Sequence, residues 1–233
     1  MFSITNPHIA NYIRETVRQP EWLADIGENA RAEGIPVVPP ETGQFLAFLV
    51  TLHRPARILE IGTAVGYSTL WMALANKHGQ ITTIEQDADR AQAAQRNFQQ
   101  AGFSDQIQLI EDDARQVLPC LGGQKFDLLF MDAAKGQYRN FLEQSLPLLN
   151  ERAIIVTDNV LFHGTFFKEK LPRRSRTMVR RLQEYIDWIH QHPQLQTVLL
   201  PLGDGVALSI YAREVKEPGT SRIPDLYKVG EKI

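Results

Sequence analysis

From residue 57 onward, short apolar runs alternate with segments whose apolar positions recur at helical spacing. The runs at 57–61, 81–85, 107–110, 126–131 and 153–157 are rich in Ile, Leu, Val and Phe, as expected of strands buried on both faces. Between them, 68–76, 88–101, 114–118 and 138–148 carry helical patterns. This β-α-β-α order predicts a parallel sheet with helices on both faces, because each parallel connection must cross back over the sheet. The end of the chain reads differently. A helix over 176–190 precedes two short strands, 197–200 and 205–211, joined by Pro201-Leu-Gly-Asp204. That link is too short for a parallel crossover, so the pair is expected to be antiparallel. Residues 1 to about 50 form a helical preface with a proline-marked turn at 35–40, and the stretch 216–233 has too little apolar periodicity to dock predictably.

Composition narrows the class. With 233 residues, 43% hydrophobic and 22% charged, the chain can bury a substantial core, and collagen-like or broadly disordered classes do not fit. Lys and Arg total 25 against 27 Asp and Glu, which excludes a uniformly basic coat for nucleic acid but not a local basic patch. The single cysteine, Cys120, cannot form an intrachain disulfide, as expected of a reducing compartment. It follows Val117-Leu-Pro119 and is expected to be a buried or half-buried thiol. The first residues lack the basic and apolar regions of a signal peptide, and the longest apolar run, near 67–75, is too short for a bilayer. A cytoplasmic location is the expectation.

The strongest local signal is Arg57-Ile-Leu-Glu-Ile-Gly-Thr-Ala-Val-Gly-Tyr-Ser-Thr69, a strand running through glycines into a helix. Gly62 and Gly66 allow a tight turn and a close backbone approach to a ligand, although the spacing E-x-G-x-x-x-G-x-S is not the phosphate-binding G-x-G-x-x-G. Ser68 falls near the helix start, where a hydroxyl and free amides can receive a carboxylate. Glu85 ends the second strand, placed to accept ribose hydroxyls, and Asp113 follows the third, placed to accept an adenine amino group or simply to cap the next helix.

Asp132 ends the fourth strand and Asp158-Asn159 the fifth. Strand ends of a parallel sheet converge on one crevice, so two carboxylates and an amide oxygen there suit Mg²⁺ better than a softer metal. Helix capping or loop hydrogen bonding is the alternative use of these acids. Lys135 is the candidate general base, since desolvation beside a cation disfavours its charged form; a salt bridge to Asp132 is the alternative. His163 lies just past the metal pair, where loop packing is an equal alternative to lining an acceptor pocket. Tyr185 and Trp188 fit helical core positions.

In these motifs and their order, residues 35 to 211 resemble the class I S-adenosylmethionine-dependent methyltransferases, within them the catechol and caffeoyl-CoA O-methyltransferase-like family. The resemblance implies a Rossmann-like α/β fold in one methyltransferase domain over 1–215, with a seven-stranded, mostly parallel sheet closed by an antiparallel strand. It implies cofactor contacts at Glu60, Gly62, Ser68, Glu85 and Asp113, with Val38 covering the methionine end. Metal ligands follow at Asp132, Asp158 and Asn159, with Asp132 shared between metal and cofactor, and Lys135 as the base.

The segment 168–181 holds two Lys and five Arg against one Glu, which concentrates positive charge beyond the DNVLFHG stretch. These features and PLGDGVALSI look most like the bacterial tRNA 5-hydroxyuridine methyltransferase branch. There the 5-hydroxyl and 4-carbonyl of the base chelate the metal, and Arg173, Arg174, Arg176, Arg180 and Arg181 meet phosphates of the anticodon loop. Two alternatives stay open: a small catechol or phenylpropanoid acceptor with the arginines as a solvated face, and a non-catalytic RNA-binding module. A homodimer is expected from related family members.

Overall fold

The computed structural model describes residues 6–162, 164 and 173–212. His163, residues 165–172, which include 168–172 of the basic segment, and the 216–233 tail lie outside the described residues. Three helices, α1 (Pro7–Thr16), α2 (Glu21–Ala32) and α3 (Pro40–His53), precede the sheet. The alternating part then runs β1 (Arg57–Ile61), α4 (Tyr67–Ala75), β2 (Gln80–Glu85), α5 (Ala88–Gln100), β3 (Ile107–Glu111), α6 (Ala114–Cys120), β4 (Phe126–Met131), α7 (Tyr138–Ser145) and β5 (Leu149–Thr157). It closes with α8 (Arg173–Gln191), β6 (Leu195–Leu200) and β7 (Val206–Tyr211).

The seven strands form one sheet in the order β3-β2-β1-β4-β5-β7-β6. β1 through β5 pair in parallel, whereas β7 runs antiparallel to both β5 and β6. The strand that breaks direction is therefore β7 alone, inserted between β5 and β6. The consequence is positional: β6 runs with the parallel strands, so the β6–β7 turn falls at the same sheet end as Asp132 and Asp158.

Period-two alternation divides the core into two layers. Leu59, Leu129 and Met131 meet Val117, Leu118, Phe141, Leu142 and Leu182 on the side of α6, α7 and α8. Ile58, Leu128 and Phe130 meet Leu46, Val50, Leu70 and Phe98 on the side of α2 to α5. Each such side chain, fully buried, contributes about 1.5–3 kcal/mol, which is why the continuous apolar runs of β1 and β4 specify a central, doubly covered position.

Three departures from the sequence reading have local causes. β5 begins at Leu149 rather than 153; its polar first half escapes the apolar pattern, and Arg152 takes a positive φ of 64° beside a register shift at Phe126/Leu128. The helix expected over 138–148 ends as α7 at Ser145 and tightens into a 3₁₀ turn over Leu146–Leu148, where Pro147 cannot donate a hydrogen bond. Cys120 is exposed rather than buried, as the last residue of α6, just past the exposed Pro119.

Candidate active site

The order in which successive strands are laid across the sheet reverses between the parallel neighbours β1 and β4, and a cleft of about 760 Å³ opens at the carboxyl ends of these strands. Main-chain hydrogen bonds fix the converging ends: Asp132 N donates to Ile61 O at 2.9 Å, and Asp158 N donates to Met131 O at 3.0 Å. Residues far apart in sequence thus share one wall.

On one half of the cleft, Glu85 is held by two amides, Ala64 N at 2.8 Å on one carboxylate oxygen and Asp87 N at 3.0 Å on the other. The remaining lone pairs are available to a ligand's hydroxyls. Ala64 occupies the left-handed region at φ 46°, a local strain maintained where the β1–α4 loop meets Glu85. Asp113 lines the same half and caps α6, accepting from Arg115 N at 2.9 Å. Hydrogen bonds from the Arg115 side chain and backbone hold its carboxyl below the usual range. Both expected uses of Asp113 are therefore compatible. Val38, nearly fully buried, lines the opposite lip.

The glycines serve the protein's own packing. A Cβ on Gly62, at φ 98°, would lie 2.3 Å from Asp132 O, and one on Gly66, at φ 84°, 2.3 Å from the Phe98 ring. Only Gly62 of the two lines the cleft. Glu60 departs further from a contact role: it is fully buried beneath the cleft and absent from its lining. Its carboxylate accepts from Ser68 Oγ at 2.6 Å, Thr69 Oγ1 at 2.5 Å and Thr83 Oγ1 at 2.7 Å. Burial pushes its carboxyl up to about 7, against the three hydroxyls that favour the charged form. Ser68 reaches the cleft, but its hydroxyl is donated to Glu60.

The other half gathers Asp132, Lys135, Asp158 and Asn159. Lys135 Nζ donates to Asn159 Oδ1 at 2.7 Å and lies 4.0 Å from Asp132 Oδ1, so the ammonium sits among the proposed metal ligands. Asp158 is fully buried; one oxygen accepts from Asn159 N at 2.7 Å, and the other, Oδ2, has no hydrogen-bond partner. Desolvation, then the neighbouring carboxylate, pushes Asp158 well above the usual carboxylate range, and desolvation also raises Asp132. A buried, partnerless carboxylate oxygen beside a second carboxylate and an amide oxygen is a donor set that fits a hard divalent cation. Among the described residues no three His, Cys, Asp or Glu side chains already form a metal cage. Asp204, on the β6–β7 turn, also lines the cleft and pushes both aspartates up.

Residues 15–212 match the family of O-methyltransferases. The chain belongs to that family. It is 36% identical to a catechol O-methyltransferase of Niastella koreensis over 87% of this chain and 96% of the relative. A caffeoyl-CoA O-methyltransferase of Populus kitakamiensis is 34% identical over 73% of this chain and 76% of its own length. The S-adenosylhomocysteine-bound methyltransferase PaMTH1 of Podospora anserina superposes with a TM-score of 0.80, 27% identical, over 88% of this chain and 94% of that one. The fold and cleft described above are those of an S-adenosylmethionine-dependent O-methyltransferase.

In this O-methyltransferase, helix α8 packs against the Lys135–Gln137 turn. Its buried stripe of Val179, Leu182, Tyr185 and Ile189 faces the core, and Tyr185 Oη lies 2.7 Å from Thr157 Oγ1, one residue before Asp158. Arg176, Arg180 and Arg181 are exposed. Arg180 pairs with Glu184 at 3.5 Å, whereas Arg181 lies against Gly136, next to Lys135. The side chains of Arg173 and Arg174 lie outside the described residues. No described helix is long and apolar enough to cross a membrane.

Sequence reasoning missed two parts of the site. Asp204 was read only as part of a turn, although the expected antiparallel closure already placed that turn near the strand ends. Arg14 of α1 lines the cleft and forms a bidentate pair with buried Glu41, with contacts of 3.0 and 3.2 Å. No motif marks that pair.

Proposed function

We propose that this O-methyltransferase transfers the methyl group of S-adenosylmethionine to one of two vicinal acceptor oxygens, assisted by a divalent cation such as Mg²⁺, and that its acceptor is 5-hydroxyuridine in a tRNA anticodon loop. The observation that carries the chemistry is the meeting of Asp132, Lys135, Asp158 and Asn159 in one end of a cleft whose other end presents Glu85 and Asp113.

Glu85 would accept the ribose hydroxyls and Asp113 the adenine amino group, with Val38 over the methionine end. Asp132, Asp158 and Asn159 would hold the cation. When bound, the cofactor supplies an electrophilic sulfonium methyl and the cation lowers the pKa of a chelated hydroxyl. Lys135, held at this end of the cleft by Asn159 Oδ1, is the group placed to take the hydroxyl proton on Nζ once that contact is released. Opposite charges cancel as the methyl passes to the oxyanion, so the main contribution of these residues is alignment. Glu60 acts from below, tying β1, β2 and the first turn of α4 together.

The acceptor reading is supported by the exposed arginines of α8 beside the turn that carries Lys135. A small catechol is the second reading, favoured by the catechol O-methyltransferase of Niastella koreensis. Two copies are proposed to associate through the exposed apolar side chains Tyr12 and Ile13 of α1 and Phe48 and Leu52 of α3. Sedimentation at the 26.5 kDa monomer mass contradicts that association.

Competition between 5-hydroxyuridine-containing tRNA and catechol, with and without chelator, tests the function. Chelator-sensitive methylation that favours tRNA is expected. Turnover unaffected by chelator overturns the metal role, and catechol preference overturns the acceptor.

A further inference from the structure

Among the described arginine side chains of α8, Arg181 is the one that lies against the turn carrying Lys135. A Cβ on Gly136 would lie 3.0 Å from Arg181 Nη1 and 3.5 Å from its Cδ, so the side chain lies across the bare face of the Lys135–Gln137 turn. Met178 Cε, 3.8 Å from the same point, borders the stem. Among the described residues no acidic side chain pairs with Arg181, whereas its neighbour Arg180 is engaged by Glu184. The helix beneath is firmly held. Tyr185, one turn further on, contacts Thr157 Oγ1 and the Tyr138 ring, and the Arg139 guanidinium sits 5.2 Å from the Trp188 ring centre. An exposed, uncommitted guanidinium is therefore held at a set distance from Lys135 by a packed helix.

We propose that Arg181, lying across Gly136, reads a phosphodiester of the acceptor strand next to the methylated nucleotide, and that Gly136 is the residue that makes room for it. This rests on the RNA reading above. A planar fork suits a phosphate through paired N–H donors, and an arginine anchored beside the catalytic turn sets the register of the strand without reading its sequence. The role is acceptor selection: the guanidinium favours acceptors that bring a phosphate within its reach while the reacting hydroxyl lies beside Lys135.

The test compares kcat and KM of the full chain and its Arg181→Gln, Arg181→Lys and Gly136→Ala variants. Three acceptors are used: an anticodon stem-loop containing 5-hydroxyuridine, caffeoyl-CoA as a phosphate-bearing small molecule, and uncharged catechol. Arg96→Gln, on the remote face of α5, controls for charge alone. Arg181→Gln is expected to raise KM for the stem-loop about tenfold. Its salt dependence should become shallower by roughly 0.7 in log–log slope, as for one lost phosphate contact on a single strand. The loss on catechol should be several-fold smaller, with Arg181→Lys intermediate and Gly136→Ala resembling Arg181→Gln. Equal losses on all three acceptors, or no change on the stem-loop, overturn the proposal. A wild-type enzyme that ignores the stem-loop yet uses caffeoyl-CoA with an Arg181-dependent KM overturns the RNA acceptor and retains the anion-reading role. A wild-type enzyme that uses neither charged acceptor overturns both.

Discussion

The buried carboxyl of Glu60 makes stability depend on pH in a way one substitution should remove. Its ordinary value of 4.5 is raised to about 7 because complete burial outweighs the hydroxyls of Ser68, Thr69 and Thr83. Between those values the folded chain keeps a proton that the unfolded chain has released, so stability is fully present below about pH 4.5 and declines as pH rises through about 7. At ~1.4 kcal/mol per tenfold change in protonation, the loss across the window is on the order of 3 kcal/mol. Glu60→Gln keeps the shape and, by rotation of the surrounding hydroxyls, keeps their hydrogen bonds, while removing the ionisation. Urea unfolding of both proteins from about pH 4.5 to 8 isolates the effect, because other titrating groups appear in both curves. The wild type should lose roughly 3 kcal/mol relative to the variant over this range. Parallel curves would show that Glu60 ionises normally and that its hydroxyl network does not offset a buried charge.

Other residues give independent checks. Asp158→Ala should reduce metal-dependent turnover at least 10²-fold while leaving S-adenosylmethionine affinity by calorimetry within about threefold; equal loss of both contradicts the division of the cleft. Helix α1 buries no residue of its own, and Arg14 fastens it beside the cleft through Glu41. Arg14→Ala should therefore speed cofactor release several-fold in stopped flow, a few tenths to ~1 kcal/mol as for a partly exposed pair. Tyr185→Phe leaves the Thr157 hydroxyl without its partner and should lower stability by ~1–2 kcal/mol by denaturant titration. Leu129→Ala, in the fully buried middle of β4, should cost about 2–5 kcal/mol.

The legible part of the chain was the part whose physics is local. β1 and β4 are apolar on both faces, so their runs locate the sheet centre, and strand-end acids such as Glu85, Asp132 and Asp158 follow from the direction of parallel strands. Period and turn length also foretold the antiparallel closure. What a strand-end acid faces was not legible. Glu60 occupies a motif position as suggestive as Glu85, yet lies below the cleft floor, and only the hydroxyls at 68, 69 and 83 hint at that burial. The glycines of the β1–α4 loop illustrate the same limit, since their nearest obstacles are Asp132 O and Phe98, residues brought close only by the fold. Arg14 and Glu41 pair across 27 positions with no pattern to connect them. Arg181 stood out from its neighbours only once α8 was docked against Gly136.

In the proposed function, Asp132, Lys135, Asp158 and Asn159 direct methyl transfer to an oxygen of a tRNA base. Nucleoside mass spectrometry of tRNA containing 5-hydroxyuridine, incubated with the protein, S-adenosylmethionine and Mg²⁺, reads that transfer at the modified base itself. Conversion to 5-methoxyuridine is expected, abolished by chelator and by Lys135→Ala. Unchanged 5-hydroxyuridine, under conditions where the same preparation methylates catechol, would contradict it.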